Sequence, residues 1–165
     1  MSKKRKASGA TAALQFLSAR GVPFREAGYV HDDAVTDYGA EAARALGVDP
    51  GRVFKTLLVS QPGGQDFGVV VLPVDRRVAM KAAASGLGWK KAVLADPSAA
   101  ERRTGYVVGG ISPFGQKTPS PTLLDDSALG HPTIFVSGGR RGLDLEVAPQ
   151  DLLDALEARP APLSA

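Results

Sequence analysis

The chain has 165 residues, 44% of them hydrophobic, and a formal net charge of +3. That length suits one domain with a true core, which excludes disorder throughout. It contains no cysteine, so disulfides, thiolate zinc sites and a protein thiol nucleophile are excluded.

The first nine residues read as a basic, flexible arm. Lys3, Lys4, Arg5 and Lys6 alone outnumber the net charge, so the high isoelectric point belongs to this arm. Such an arm either strengthens nucleic-acid binding through counterion release or is a solvated end. The stretch from Ala7 to Gln15 is too small and polar to be the apolar part of a signal peptide, and no apolar run reaches the ~20 residues of a membrane span. A cytoplasmic protein is expected, with no membrane or DNA partner.

Thr11 to Arg20 carries the apolar spacing of an amphipathic helix, stopped by Gly21. Phe24 to Tyr29 reads as a strand. Tyr38 to Leu46 is a second helix, with Glu41 in its first turn and Gly47 at its left-handed end. Val53 to Ser60 and Phe67 to Val74 are apolar strands joined across Pro62-Gly63-Gly64 as a hairpin. A helix is expected over Arg77 to Ser85 and a short strand over Ala92 to Leu94. Asp96 and Pro97 supply the cap and first position of a helix reaching Arg103. Tyr106 to Val108 reads as a strand leading into a glycine loop. Thr133 to Val136 and Leu143 to Val147 are strands flanking a second glycine loop. A helix over Pro149 to Ala158 is ended by Pro160 and Pro162. Helices and strands alternate without a regular β-α-β repeat. An α+β domain is expected, with a curved, barrel-like, mainly antiparallel sheet flanked by helices.

Two glycine-rich segments and one lysine stand out. Glycine is kept where the backbone turns sharply or closely approaches a ligand. Gly110-Ile111-Ser112-Pro113-Phe114-Gly115-Gln116-Lys117-Thr118 nearly spells a nucleotide-binding P-loop, but Gln116 separates the second glycine from the lysine. Pro113 also removes a donor, and Pro119 and Pro121 prevent a following helix. A substrate-binding loop and a plain structural loop remain. Ser137-Gly138-Gly139-Arg140-Arg141-Gly142 lacks dinucleotide-binding spacing and a β-α-β frame. It reads as a hairpin loop or a pocket rim. Strand alternation puts Asp144 and Glu146 on one face, either lining a site or facing solvent. Lys55 interrupts an apolar strand. It either snorkels to water or is held as a cation for a phosphate or a developing oxyanion.

His31 and His131 lack partners at triad or metal spacing, and no nucleophile elbow is present. Both read as structural or surface groups. Any chemistry must come from positioning, backbone electrostatics and the substrate itself, with no cofactor or metal.

The segments Tyr29-Val30-His31-Asp32, Val53-Phe54-Lys55-Thr56-Leu57-Leu58-Val59, Thr104 to Lys117 and Val136 to Glu146 together resemble the YbaK family of trans-acting aminoacyl-tRNA editing proteins. That family is related to the editing domain of bacterial prolyl-tRNA synthetases, and the likeness is closest to its Cys-tRNA(Pro) deacylase branch. It covers nearly the whole chain after the arm, so residues 10–160 are expected to form the editing domain.

The resemblance implies hydrolysis of the ester that joins cysteine to tRNA(Pro), assisted by the substrate's own thiol. It places the essential lysine on Lys55 and the ester-contacting loop on Gly109, Gly110, Ile111, Ser112, Pro113 and Gly115. Tyr29, Tyr38, Thr56, Ser137, Gly138, Gly139 and Asp144 match further pocket positions. The implied partners are the acceptor end of tRNA(Pro) and prolyl-tRNA synthetase. Lys90, Lys91, Arg102, Arg103, Lys117, Arg140 and Arg141 either line the path of the acceptor arm or are ordinary surface charges. Asp33, Asp37 and Tyr38 depart from the expected pattern beside the pocket. A deacylase for Ala-tRNA(Pro) or another small residue, and a non-catalytic RNA- or synthetase-binding module, are the alternatives.

Overall fold

A computed structural model describes residues 10–165, and the basic arm expected at residues 1–9 lies outside them. Local capping sets most of the helices. The Thr11 hydroxyl accepts the Leu14 N–H at 3.2 Å and opens helix α1 (Ala12–Arg20), which Gly21 closes at φ 66. Asp37 caps α2 (Tyr38–Leu46), and Gly47 ends it. Helix α3 runs from Met80 to Leu87, not from Arg77 as the sequence suggests. Asp96 and Pro97 open α4 (Pro97–Thr104) as expected, and α5 spans Pro149–Leu156. No helix among the described residues is long and apolar enough to cross a membrane.

The strands form two sheets. Strand β1 (Arg25–Gly28) pairs with β7 (Leu143–Val147), and β7 pairs with β6 (Ile134–Arg140), all antiparallel. The larger sheet has the order β4 (Val93–Leu94), β2 (Phe54–Ser60), β3 (Phe67–Pro73), β5 (Thr122–Asp125), β8 (Arg159–Ala161). Its centre is the expected hairpin of β2 and β3, with β4 on the outer side of β2. Strands β5 and β8 are parallel additions that the sequence reading does not contain. The domain is therefore the expected α+β, but its strands lie in two sheets that do not close into a barrel. They meet where Val53 bridges in parallel to Phe135, just before β2 begins. The larger sheet is also more mixed than expected, because its β3-β5-β8 half is parallel.

Two further expectations fail for local reasons. Tyr106 to Val108 is not a strand. The Tyr106 N–H donates to the Thr104 hydroxyl, and its own hydroxyl donates to the Phe114 carbonyl at 2.6 Å, so the residue plugs a loop into the core. The final helix stops at Leu156, where Glu157 turns into a left-handed conformation at φ 52, and the chain continues as β8. Pro160 fits there because an edge strand need not offer an N–H outward.

The main core lies where α1 and α5 cover the inner faces of both sheets, with Leu17, Phe114, Ile134, Leu145 and Leu152 fully buried. A second cluster packs α3 against β3 and β5 through Ala83, Val70 and Leu123. A third, smaller one joins Ala42 and Ala43 of α2 to Val53 and Phe135. That last contact seats the start of α2 over the junction of the sheets.

Candidate active site

The junction leaves a cavity of about 260 Å³. Strand β2 lines it with Phe54, Lys55, Thr56 and Leu57, β6 with Ser137, and β7 with Asp144. The segment before α2 adds Tyr29, Thr36 and Asp37, and α2 itself adds Tyr38 and Gly39. The first glycine segment adds Val108, Gly109 and Ile111. Residues from both ends of the chain thus converge because β1, β7 and β6 are neighbours and β2 starts beside β6.

Of the residues expected in a site, Tyr29, Tyr38, Lys55, Thr56, Gly109, Ile111, Ser137 and Asp144 border this cavity. Gly110, Ser112, Pro113, Gly115, Gly138 and Gly139 do not. Gly110 lies against the backbone of Arg140, and Gly115 lies where a Cβ would meet the Ala12 carbonyl oxygen at 2.5 Å. Ser112 is fully buried, and its hydroxyl accepts the Phe114 N–H at 3.2 Å. Pro113 is buried beside it. Gly138 packs on Leu143 and Leu145, and Gly139 packs on Thr11 and Tyr106. The second glycine segment is not a loop. It continues β6 with a bulge between Ser137 and Arg140, and the turn proper is Arg141-Gly142.

The polar end of the cavity is short of partners. Asp144 is buried, and no hydrogen bond to its carboxylate is found among the described residues. Burial pushes its pKa up to about 7. The Thr56 Oγ1 is buried without a partner. Burial, then the charge of Asp144, push the Tyr29 hydroxyl up to about 12, so it keeps its proton and can donate. An unsatisfied buried polar group costs roughly 1–3 kcal/mol, and the Thr56 hydroxyl carries that cost beside the cavity. A ligand carrying an ammonium or hydroxyl group meets that need.

Lys55 also lines the cavity. Its Nζ donates to the Arg76 carbonyl at 2.7 Å. Burial lowers its pKa, while Asp37 and Asp75 pull it back up. The ammonium is tethered but half open, available to an oxygen of a bound ester or a nearby phosphate. In the glycine segment the Val108 N–H goes to Glu101 and the Gly110 N–H to the Val107 carbonyl. Gly109 and Ile111 border the cavity, and their N–H groups find no acceptor among the described residues.

Gly109 has φ 89, and a Cβ there would strike the Tyr38 ring at 2.8 Å. That ring is also packed by Arg141, whose guanidinium lies 4.6 Å from its centroid, and by the His31 ring at 5.8 Å. Glycine is required here both by conformation and by space.

Sequence reasoning missed what holds the loop from Tyr29 to Asp37. The Glu41 carboxylate accepts the Asp32 N–H at 2.8 Å and pairs with His31 Nδ1 at 2.7 Å. These bonds, the Asp32 N–H first, hold its pKa below the usual range. From sequence Glu41 is only a first-turn acid. Glu41→Ala frees both groups and lets Tyr29 and Tyr38 drift. An ångström of misplacement costs up to ~100-fold in rate, so kcat/KM is expected to fall about 10- to 100-fold. Steady-state kinetics check this, and an unchanged kcat/KM would show that the latch does not set the site. Asp37 was legible only as a departure from the family pattern beside the pocket; it caps α2, and its charge reaches Lys55.

Glu146, which shares a strand face with Asp144, meets a different fate. It accepts from Thr133, Arg25 and Arg52. The Thr133 hydroxyl is the first cause of its lowered pKa. Among the described residues no cluster of three His, Cys, Asp or Glu is placed to hold a metal ion.

Comparisons with known proteins bear on the chain as a whole. The chain is 34% identical over 153 residues to a protein of Enterococcus faecalis named as a Cys-tRNA(Pro)/Cys-tRNA(Cys) deacylase, EbsC, with 91% of this chain and 90% of that one covered. A crystal structure described as a trans-editing enzyme for prolyl tRNA synthetase superposes with a TM-score of 0.81 at 26% identity, covering 93% of this chain and 95% of the other. A crystal structure of a hypothetical protein superposes at 0.83 with 30% identity, covering 93% and 99%. Residues 32–155, which carry all the cavity's polar groups except Tyr29, match the family model for the aminoacyl-tRNA editing domain, and the chain belongs to that family.

Proposed function

We propose that the protein deacylates Cys-tRNA(Pro) in trans, releasing cysteine from the mischarged tRNA in the cytoplasm. The observation that carries this reading is the pairing, within one small cavity, of an unpartnered buried carboxylate with a tethered ammonium. Asp144 meets the substrate's α-ammonium, and the Thr56 hydroxyl lies beside it. Lys55 and the N–H groups of Gly109 and Ile111 face the ester oxygen. The likeness to the deacylase of Enterococcus faecalis supports the choice of substrate.

No side chain in the cavity is a ready nucleophile. The substrate thiol gives up its proton and attacks its own ester carbonyl, the tetrahedral oxyanion is held by the ammonium and the main-chain donors, and the bond to the ribose oxygen breaks as that oxygen takes up a proton; water then opens the cyclic thioester so formed and frees cysteine. Cysteine is close in size to proline, which a synthetase pocket discriminates poorly, so a second site is needed. Gly110, Ser112, Pro113, Gly115, Gly138 and Gly139 shape that site through the loops and do not touch the ester. Prolyl-tRNA synthetase supplies the identity of the tRNA, because the cavity offers nothing for reading bases.

The test is a panel of charged tRNAs. Cys-tRNA(Pro) is expected to be hydrolysed and Ser-tRNA(Pro) spared, since a hydroxyl attacks far less readily than a thiol. Comparable loss of serine overturns the thiol-assisted mechanism. Faster loss of alanine reassigns the substrate.

A further inference from the structure

We propose that Asp125, which does not border the cavity, is a positioning residue for Lys55. Its carboxylate fixes the main chain at Leu163 and Ser164, that chain fixes the segment from Arg77 to Ala79, and the segment aims the Arg76 carbonyl that tethers the lysine. The inference rests on the part given to Lys55 in the proposed function and extends it to what keeps that ammonium in place.

The tether has two ends of unequal firmness. Lys55 lies inside β2, where it is paired with Leu72 of β3. Its acceptor lies in no strand. The Arg76 carbonyl, 2.7 Å from Lys55 Nζ, follows a turn at Val74 and Asp75 in the connection from β3 to α3. Asp75, Arg76 and Arg77 are all exposed, so packing of their side chains does not pin the connection. Main-chain bonds must do so. Ahead of the carbonyl, the Val74 N–H donates to Val53 at 2.8 Å and the Arg76 N–H to Pro73 at 3.1 Å.

Behind the carbonyl the bonds go to the chain beyond β8. The Arg77 carbonyl accepts the Ala165 N–H at 2.8 Å, and the Ala79 N–H donates to the Leu163 carbonyl at 2.7 Å. Val78 and Ser164 form an antiparallel bridge between them. The Arg76 carbonyl and the Arg77 N–H share one peptide plane, so whatever holds Arg77 also aims the carbonyl at Lys55.

Asp125 is where this order begins. It ends β5 and is only 2% exposed. Its Oδ1 accepts the Leu163 N–H at 2.8 Å and the Ser164 N–H at 3.1 Å, and its Oδ2 accepts the Ser127 hydroxyl. The Leu163 side chain is fully buried beside Val70, Ala83 and Leu123, which seats the residue. Burial is non-directional, however, and the rotation of its peptide groups is set by the hydrogen bonds. Without the carboxylate those two N–H groups lose their acceptor inside the protein.

Nitrogen-15 NMR of the lysine ammonium groups tests the proposal without substrate, with Lys55→Ala assigning the signal. The Lys55 protons of the unmodified protein are expected to exchange with water about fivefold more slowly than those of the exposed Lys90 and Lys91, as one hydrogen bond allows. Asp125→Ala is expected to remove that protection and to lower kcat/KM on Cys-tRNA(Pro) about tenfold. Asp125→Asn should restore both, because its amide oxygen accepts the same N–H groups and its NH2 donates to the Ser127 hydroxyl. Ala79→Pro deletes only the N–H given to Leu163, at a residue whose φ of -82 suits proline, and decides the matter should Asp125→Ala not fold. Fast exchange in the unmodified protein, or protection that persists in the folded variants, overturns the proposal. Activity is then compared in a cycle. In the Lys55→Ala background Asp125→Ala should cost nothing more, and an equal loss in both backgrounds makes Asp125 merely structural and also overturns it. A protein that cleaves no ester yet shows the protection and its loss keeps the positioning and removes the deacylase reading.

Discussion

Replacing Lys55 by alanine lowers kcat/KM on Cys-tRNA(Pro) by about 100- to 1,000-fold and leaves the fold standing. The magnitude is that of losing one preorganised donor to a developing oxyanion. Lys55 Nζ is held by the Arg76 carbonyl in the cavity that Gly109 and Ile111 also line, so on the proposed reading it needs no reorganisation when charge appears. The fold survives because burial already penalises the charged amine, as its lowered pKa records. Its removal leaves no buried charge unpaired. Single-turnover deacylation and a thermal melt check the two halves of the expectation. Full activity in Lys55→Ala would falsify the assignment of the site. Lys55→Arg should recover little, because a planar guanidinium does not reproduce the tethered point charge.

Asp144→Asn should stabilise the protein at alkaline pH while crippling it. The folded-state pKa of about 7 stands above the ordinary value of 3.8, through burial. Below about pH 4 the carboxyl is protonated in both folded and unfolded chains, and the substitution is expected to be close to neutral. Between about pH 4 and 7 the unfolded chain has released a proton that the folded chain keeps, so stability falls as pH rises. Above about pH 7 the full penalty applies, at most about 4 kcal/mol by linkage. Denaturant unfolding at pH 4 and pH 8 measures the difference, and a variant no more stable than the parent at pH 8 would show that the carboxylate is satisfied. Activity has the opposite dependence. The ionised form pairs with the α-ammonium, so kcat/KM of the parent should rise through about pH 7, and the asparagine variant should lose that rise. A buried carboxylate kept at such cost is expected where binding, not stability, selects the residue.

Legibility in the sequence followed the range of the interactions. The first, second and fourth helices could be placed because Thr11, Asp37, Asp96, Pro97, Gly21 and Gly47 act within one turn of themselves. The β2-β3 hairpin was equally local. Strands β5 and β8 were not legible, since each is four residues or fewer, lies beside prolines, and exists through parallel pairing with residues far away in sequence. Tyr106 to Val108 has strand composition, but its hydrogen bonds go to Thr104, Phe114 and Glu101 and not to a neighbouring strand. Lys55 and Asp144 were conspicuous because each is a charge on an apolar strand. Nothing local marked Glu41 as the latch of the Tyr29–Asp37 loop, for its partners become its neighbours only after that loop folds back on α2. The glycine segments were visible, but six of the nine residues singled out in them do not border the cavity, and Gly115 and Gly139 pack instead against the start of α1.

The two ends of the larger sheet carry a last consequence. One border is the two-residue β4 and the other is β8, three residues long with a proline at its centre. Neither offers a run of free main-chain groups on which a second molecule could nucleate a fibril. The Leu163 and Ser164 N–H groups, both held by the Asp125 carboxylate, clamp the segment that supplies β8. Proteolytic trimming behind Leu156 would strip that guard and bare the apolar border of β5, turning a well-behaved domain into a seed for self-association.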